Sequence, residues 1–280
     1  MCTRAATGGI HISDDQAGRK AQTRAQFNAL VADYDAAGPG CFAHFGRHLV
    51  AVAGIEPGQR VLDVASGRGA VLFPAAELIG QTGDIVGIDL ADEMARATNE
   101  EAAQRGLEAR VRVRVMDAEH LNFPDAAFDR VLCGFSVMFF PNQDRALREF
   151  RRVLKPEGRL GVSTWRIEQT SELKTVMTEL GMGPPGQPGW ITEPDELSRL
   201  LTRTGFTNVH IQVDSQSFRY TDVDEYWRQA RGTGFRRVLD ALDAVQAERV
   251  RAALAERLRP HQRPDGIYLP AAALLAVGNR

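Results

Sequence analysis

The sequence predicts an α/β protein built around a mostly parallel sheet. Two observations carry that expectation. From residue 60 onward, short β-branched segments alternate with segments of helical period, and the first of them, VLDVASGRGA (61–70), runs through a glycine turn directly into a helix-like pattern. Alternation of this kind builds parallel strands joined by right-handed crossovers.

The elements follow in order. Residues 1–17 are polar and glycine-rich and read as a flexible N-terminus. Residues 18–54 carry two helical stretches that GPG (38–40) separates. Strands are expected at RVLDVA (60–65), DIVGID (84–89), RVRVMDA (112–118), FDRVLCGF (128–135) and GRLGVSTW (158–165). The helices between them are GAVLFPAAELIG, ADEMARATNEEAAQRG and NQDRALREFRRVLKPEG, whose apolar positions recur at helical spacing. Two late strands, TNVHIQVDS (207–215) and AAALLAVGN (271–279), flank a largely helical, arginine-rich insertion at 222–263. The core is therefore 55–221 together with 264–280.

Composition narrows the partners. The 280 residues are 44% hydrophobic and 25% charged with net charge −2, which supplies a sizeable core and no sequence-wide basic field for nucleic acid or anionic lipid. Cys2, Cys41 and Cys133 stand in no metal-ligand spacing, and Cys133 reads as a buried thiol in a reducing cytoplasm. No uncharged run reaches the roughly 18 residues of a membrane span, and the N-terminus lacks a signal-peptide pattern, so a soluble cytoplasmic protein is expected.

The chemistry starts at the first turn. In an open α/β sheet, ligands bind at the carboxyl ends of the strands, and a glycine turn before a helix invites a nucleotide-like group. A dinucleotide fits poorly, because the fingerprint reads GRGAVL from Gly67, with Leu72 where the third glycine should pack. Asp63 would repel a pyrophosphate but suits a ligand carrying an ammonium group. Asp89 ends the next strand 22 residues after Gly67, the offset at which a carboxylate takes ribose hydroxyls. Asp117 and Ala118 can meet an exocyclic amine, while Leu90 and Met94 offer apolar faces to a purine. Together these describe an adenosine bearing a charged amino acid.

VLDVASGRGA, IVGIDLADEM, VMDAEHLNFPDAAFDRVLCGFSVMFF and LREFRRVLKPEGRLGVSTW, in that order and spacing, resemble the successive motifs of class I S-adenosylmethionine-dependent methyltransferases. They are most similar to the small-molecule branch that holds the ubiquinone/menaquinone-biosynthesis type and natural-product enzymes. The resemblance implies a Rossmann-like, seven-stranded sheet with helices on both faces and one antiparallel strand near its edge. It also implies a substrate cap made from residues 18–54 and 222–263. S-adenosyl-L-methionine would be the cofactor, S-adenosyl-L-homocysteine the product, and no metal is expected. Carried over by position, Asp63, Ala65, Ser66, Gly67 and Gly69 would face the methionine portion and Asp89 the ribose. Asp117 and Ala118 would meet the adenine, and Phe135 the sulfonium end. Ala65 departs from the first motif glycine, and Arg68 stands where a smaller residue is commoner.

Methyl transfer needs alignment and a dry site more than a strong base. The catalytic candidates are Tyr34, where this family often closes its cofactor pocket, and His120, just past the adenine motif. His44 and His48 share one helix face, but metal pairing needs a further ligand and none is visible in the sequence, so a capping or core-edge role is expected. The segment after the fourth strand presents Met138 and Phe139, Trp165 ends the fifth, and Trp190 and Tyr226 fall with Phe218, Tyr220 and Trp227 in cap-forming regions. These predict an apolar acceptor pocket with an aromatic lid. The expected activity is methylation of an apolar small molecule in secondary metabolism, with oxygen favoured as acceptor. Methylation of an alkene, prenyl or aromatic carbon, and a repurposed non-catalytic S-adenosylmethionine binder, stay open. Nucleic acid and membrane are not expected as partners, since acids interleave with the arginines of the insertion; a homo-oligomer through the N-terminal helices or the cap is possible.

Overall fold

A computed structural model describes residues 12–166, 172–182 and 190–280. The strands are β1 (Arg60–Val64), β2 (Asp84–Asp89), β3 (Val111–Val115), β4 (Phe128–Gly134), β5 (Leu154–Trp165), β6 (Thr207–Tyr220), β7 (Gln262–Arg263) and β8 (Gly266–Asn279). They form one sheet in the order β3-β2-β1-β4-β5-β8-β6, and the two-residue β7 pairs on β8 as the eighth member. Strands β1 to β5 run parallel, and β8 runs antiparallel to both β5 and β6. The order reverses at β1, between β2 and β4, which is where an open α/β sheet leaves a crevice at its carboxyl edge.

The helices are α1 (Ile12–Leu30), α2 (Cys41–Ala53), α3 (Leu72–Leu78), α4 (Asp92–Gln104), α5 (Gln143–Val153), α6 (Glu172–Glu179), α7 (Pro194–Arg203), α8 (Val223–Arg231), α9 (Arg236–Asp240) and α10 (Ala244–Leu258). Helical spacing of apolar residues decides which face is buried: α5 covers Ala146, Leu147, Phe150 and Val153, and α2 covers Phe45, Leu49, Val50 and Ala53. Local signals set the ends. Asn142 accepts from the Arg145 amide to start α5, and Asp243 with Gln246 forms a capping box on α10. Two apolar layers result. Phe128, Phe150, Leu197 and Phe206 fill one face of the sheet, and Phe45, Leu49, Leu72 and Ile79 fill the other.

Several sequence expectations shift. Helix α1 starts at Ile12, so residues 12–17 are helical, while 1–11, Cys2 among them, lie outside the described residues. The third strand ends at Val115, which leaves Asp117 and Ala118 in the loop beyond it. β5 begins at Leu154, so KPEG enters a strand rather than closing a helix. β6 and β8 are longer than the hydrophobic runs that announced them, because they pair from Thr207↔Asn279 to Tyr220↔Ile267 and thereby satisfy backbone groups that polar segments would otherwise expose. Cys41 and Cys133 are buried free thiols, and burial pushes the Cys41 thiol up to about 12. No helix among the described residues is long and apolar enough to cross a membrane.

Candidate active site

The chain leaves β1 through a tightly held turn. Ala65 stands at φ 54, a left-handed conformation that explains why glycine suits this position, and Gly67 and Gly69 follow at φ 50 and 84. A Cβ on Gly69 would fall 2.4 Å from the Phe73 ring. Three of the turn's amides donate within the chain. The Ser66 amide donates to the Ile88 carbonyl (2.9 Å), the Gly69 amide to the Ser66 carbonyl (2.8 Å) and the Gly67 amide to Asp89 Oδ2 (2.9 Å). Thr98 Oγ1 donates to the Gly67 carbonyl at 2.6 Å. Arg68 points outward to Glu101 at 3.0 Å, so it does not obstruct the turn. With three amides engaged, the turn is not a cradle for phosphate oxygens.

Asp63 faces this turn from inside the sheet. It is 1% exposed, and its Oδ2 has no hydrogen-bond partner; Ser66 Oγ beside it is likewise buried and unpartnered. Burial, then the charge of Asp89, push the Asp63 carboxyl well above its ordinary range. A buried acceptor left alone is costly, and an ammonium group would satisfy it. The donor set therefore fits the amino-acid end of S-adenosylmethionine. Asp89 spends one lone pair of each oxygen on the amides of Gly67 and Ala91, which leaves its remaining lone pairs for ribose hydroxyls.

Helix α1 covers Met94 and reaches Asp117, residues expected at the adenine. Met94 is buried against Leu30 and Ala91, with Phe27, Val31 and Tyr34 packed around them, and Leu90 is half-buried. Lys20 Nζ lies 2.8 Å from Asp117 Oδ2 and 2.6 Å from Glu119 Oε2, and Asn28 donates to Asp92 at 2.7 Å. Ala118 is buried among the residues of the α5 and α7 layer. A cavity of about 30 Å³ lies between Tyr34, Phe42, Asp63, the turn and Phe135. Lys20 ties α1 to the loop beyond β3, so these contacts must break if α1 moves to admit a ligand. Lys20→Ala is expected to speed cofactor association severalfold in stopped-flow fluorescence, whereas an unchanged rate would mean that α1 does not gate the site.

Aromatic rings close the opposite wall. Phe135, at φ 53 beyond β4, lies 4.3 Å from Trp165 between ring centroids; Phe42 sits 5.5 Å from Phe135 and 5.7 Å from Trp165, and Tyr34 stacks on Phe42 at 5.6 Å. Non-glycine residues at positive φ, here Ala65 and Phe135, store strain where a site needs shape. Phe139 meets Phe27 at 5.3 Å, and Met138 is buried. The expected aromatic lid is corrected. Phe218, Tyr220, Tyr226 and Trp227 are each under 9% exposed, and the Tyr226 hydroxyl accepts from the Leu173 amide, so these rings form the cap's own core rather than a substrate mouth. Trp190 is half-buried beside Ile191, which packs in the α5 and α7 layer. Phe42 and Phe27 escaped sequence reasoning because nothing in a helical pattern tells a core-facing ring from a site-facing one.

The base candidates separate by environment. Burial, with the charges of Asp35 and Asp89, pushes the Tyr34 phenol far up, which makes it a hydrogen-bond donor and unfits it as a base. His120 is half-exposed, and its Nδ1 lies 3.1 Å from Asp117 Oδ2, outside the cavity lining. Asp35, which the sequence did not single out, has an unpartnered buried Oδ1, and burial pushes its carboxyl up to about 6. His44 and His48 do meet a third polar group: Asp214 of β6 lies 2.5 Å from His48 Nδ1 and 3.7 Å from His44 Nε2. Their expected isolation is corrected. The residues are more than 160 positions apart and converge only when β6 folds beside α2. Burial and neighbouring His48, partly offset by Asp214, hold His44 below its ordinary range.

The arginines of the insertion are largely paired with acids. Arg231 and Arg236 meet Asp240, Arg236 also reaches Asp33 of the α1–α2 loop at 2.7 Å, Arg251 pairs with Asp224, and Arg257 pairs with Glu172 and Glu179. This ties the insertion to the N-terminal helices over the carboxyl edge.

Residues 62–162 match the family model of a methyltransferase domain. Nocamycin O-methyltransferase of Saccharothrix syringae is 44% identical over 137 residues, 49% of this chain and 49% of the relative. Aklanonic acid methyltransferase DauC of Streptomyces sp. is 39% identical over 145 residues, 52% of this chain and 66% of the relative. The chain thus spans about half to two thirds of the length of the curated relatives it matches. Among solved structures, the YcgJ protein of Bacillus subtilis superposes with a TM-score of 0.58 at 20% identity, covering 85% of this chain and 98% of that one, which shows a common fold.

Proposed function

We propose that this chain, whose residues 62–162 match the model of a methyltransferase domain, is a class I S-adenosylmethionine-dependent enzyme that methylates an oxygen of an apolar small molecule in natural-product metabolism. The observation that carries the reading is Asp63: a fully buried carboxylate with an unpartnered oxygen, at the switch point of the sheet, beside a turn three of whose amides donate within the chain. That arrangement calls for a cation. When bound, S-adenosylmethionine supplies a methyl group on a positively charged sulfur, open to in-line displacement. The residues do the rest. Asp63 and Ser66 hold the amino-acid end against the Ala65–Gly69 turn, and Asp89 keeps the turn closed while offering its free lone pairs to ribose. Leu90 and Met94 sandwich the purine, and Asp117 with Ala118 meets its edge once Lys20 has withdrawn. Phe135, Trp165, Met138 and Phe139 exclude water and align the acceptor.

Oxygen is favoured by the nocamycin O-methyltransferase relative, and Asp35, the chain neighbour of the cavity-lining Tyr34 but not itself part of the lining, is the proposed acceptor of the substrate's proton. The sign follows directly. Only the ionised form accepts a proton, so kcat/KM should rise through pH about 6 and fall roughly tenfold per unit below it. Asp35→Asn should abolish that limb and lower the rate by about two orders of magnitude or more. A variant that keeps the wild-type limb removes Asp35 from the mechanism. Carbon methylation is the second reading, because the rings of Phe42, Phe135 and Trp165 could stabilise a carbocation. There the wild-type profile would be flat through pH 6.

A further inference from the structure

We propose that His44, His48 and Asp214 form a binding site for one divalent transition-metal ion of the Zn2+ class, which pins α2 to the edge strand β6. The ligand set is two imidazoles and one carboxylate, and their ligating atoms all lie within 4.8 Å of one another. Residues four apart on a helix present both rings on one face, and the ring centroids of His44 and His48 are 4.2 Å apart. Asp214 shares its strand face with Phe218 and Tyr220 by the two-residue period, so it too is directed at α2. Ligands about 2.0–2.1 Å from a tetrahedral ion lie roughly 3.3 Å from one another. His44 Nε2 already stands 3.7 Å from Asp214 Oδ2, and the 2.5 Å approach of His48 Nδ1 needs only a small widening.

A simple ion pair does not account for this cluster. His44 Nε2 is buried with no hydrogen-bond partner, although the acceptor Asp214 is its neighbour, and a metal would supply the missing partner to this nitrogen. Nitrogen with one oxygen selects zinc and its neighbours in the first transition row over magnesium and calcium, which take oxygen sets. The His48 side chain is 47% exposed, so the remaining coordination positions open to water.

The site has a structural consequence. His44 packs edge-on against Phe45 and Phe218, and Phe45 in turn touches Phe135 and Trp165. An ion here would stiffen the helix that forms one wall of the acceptor pocket without entering it. The inference does not depend on the methyl-transfer reading, since its readout is metal content.

The test is zinc titration of the full chain against a chromophoric chelator, with metal content after gel filtration, compared with His48→Ala and Asp214→Asn. His48 is half-exposed and Asp214 pairs in the ladder through its backbone, so both variants should fold, as circular dichroism will verify. The wild-type chain should hold about one equivalent with a dissociation constant in the micromolar range or tighter, and its melting temperature should rise with zinc. Each variant should bind at least about tenfold more weakly and lose the zinc-dependent rise. Substituted cobalt should show the visible bands of a four- or five-coordinate nitrogen and oxygen site. A wild-type chain that retains no zinc, or variants that retain as much as the wild type through other histidines, would overturn the proposal.

Discussion

Asp63→Ala is expected to weaken S-adenosylmethionine binding by roughly two orders of magnitude, about 3 kcal/mol, while leaving the ligand-free chain at least as stable as the wild type at neutral pH. The two halves have one cause. Asp63 is buried without a partner for Oδ2, and its carboxyl is pushed up first by burial and then by Asp89. A carboxyl whose folded-state pKa lies above its unfolded value contributes stability only when protonated, and that contribution is lost as pH rises above the unfolded value near 4. At pH 7 the ligand-free fold therefore carries a penalty that alanine removes. Binding an ammonium group requires the ionised form, so association should also release a proton and tighten as pH rises toward the folded-state value. Isothermal titration calorimetry in buffers of different ionisation enthalpy reads affinity and proton release together. A variant that binds normally, or one that loses binding only because it unfolds, would contradict this account of the residue.

The second large effect is expected at Gly46. This residue lies inside α2, and a Cβ there would fall 2.2 Å from the Ala70 carbonyl oxygen and 2.8 Å from its carbon. Helix propensity alone favours alanine by about 1 kcal/mol. The overlap is with backbone, which cannot rotate away, and overpacking of this kind costs about 1–3 kcal/mol. Gly46→Ala should thus lower the melting temperature by several degrees and weaken cofactor binding, because the carbonyl that must yield belongs to the end of the ligand turn. A rise in melting temperature, as propensity predicts, would show that α2 does not rest on the turn.

The two positions mark what the sequence made legible and what it hid. Asp63 was readable because a carboxylate in a β-branched run beside a glycine turn carries an electrostatic meaning before any fold is known. The strand and helix alternation was readable for the same local reason, whereas the strand order, with its reversal at β1, emerges only in the fold. Gly46 was silent, since a glycine in a helical pattern looks only like a weak helix former until the Ala70 carbonyl is placed against it. Lys20 on Asp117 and Asp214 between two histidines join residues 97 and 166 positions apart, and spacing rules reach no further than one element. The cap aromatics misled because exposure was inferred from their insertion position, whereas α6, α8 and α10 pack on one another and turn Tyr226 and Trp227 inward. Asp35 owes its raised carboxyl to burial in the loop before α2, a property of packing with no sequence signature.

Methyl-labelled S-adenosylmethionine tests the proposed activity most directly. The purified chain is incubated with the labelled donor and, separately, with pools of small apolar metabolites, RNA and protein, and mass spectrometry locates the label. The account predicts a labelled methyl on an oxygen of a small apolar molecule, lost with Asp63→Ala. Label confined to RNA or protein, or tight donor binding with no transfer to any pool, would contradict it.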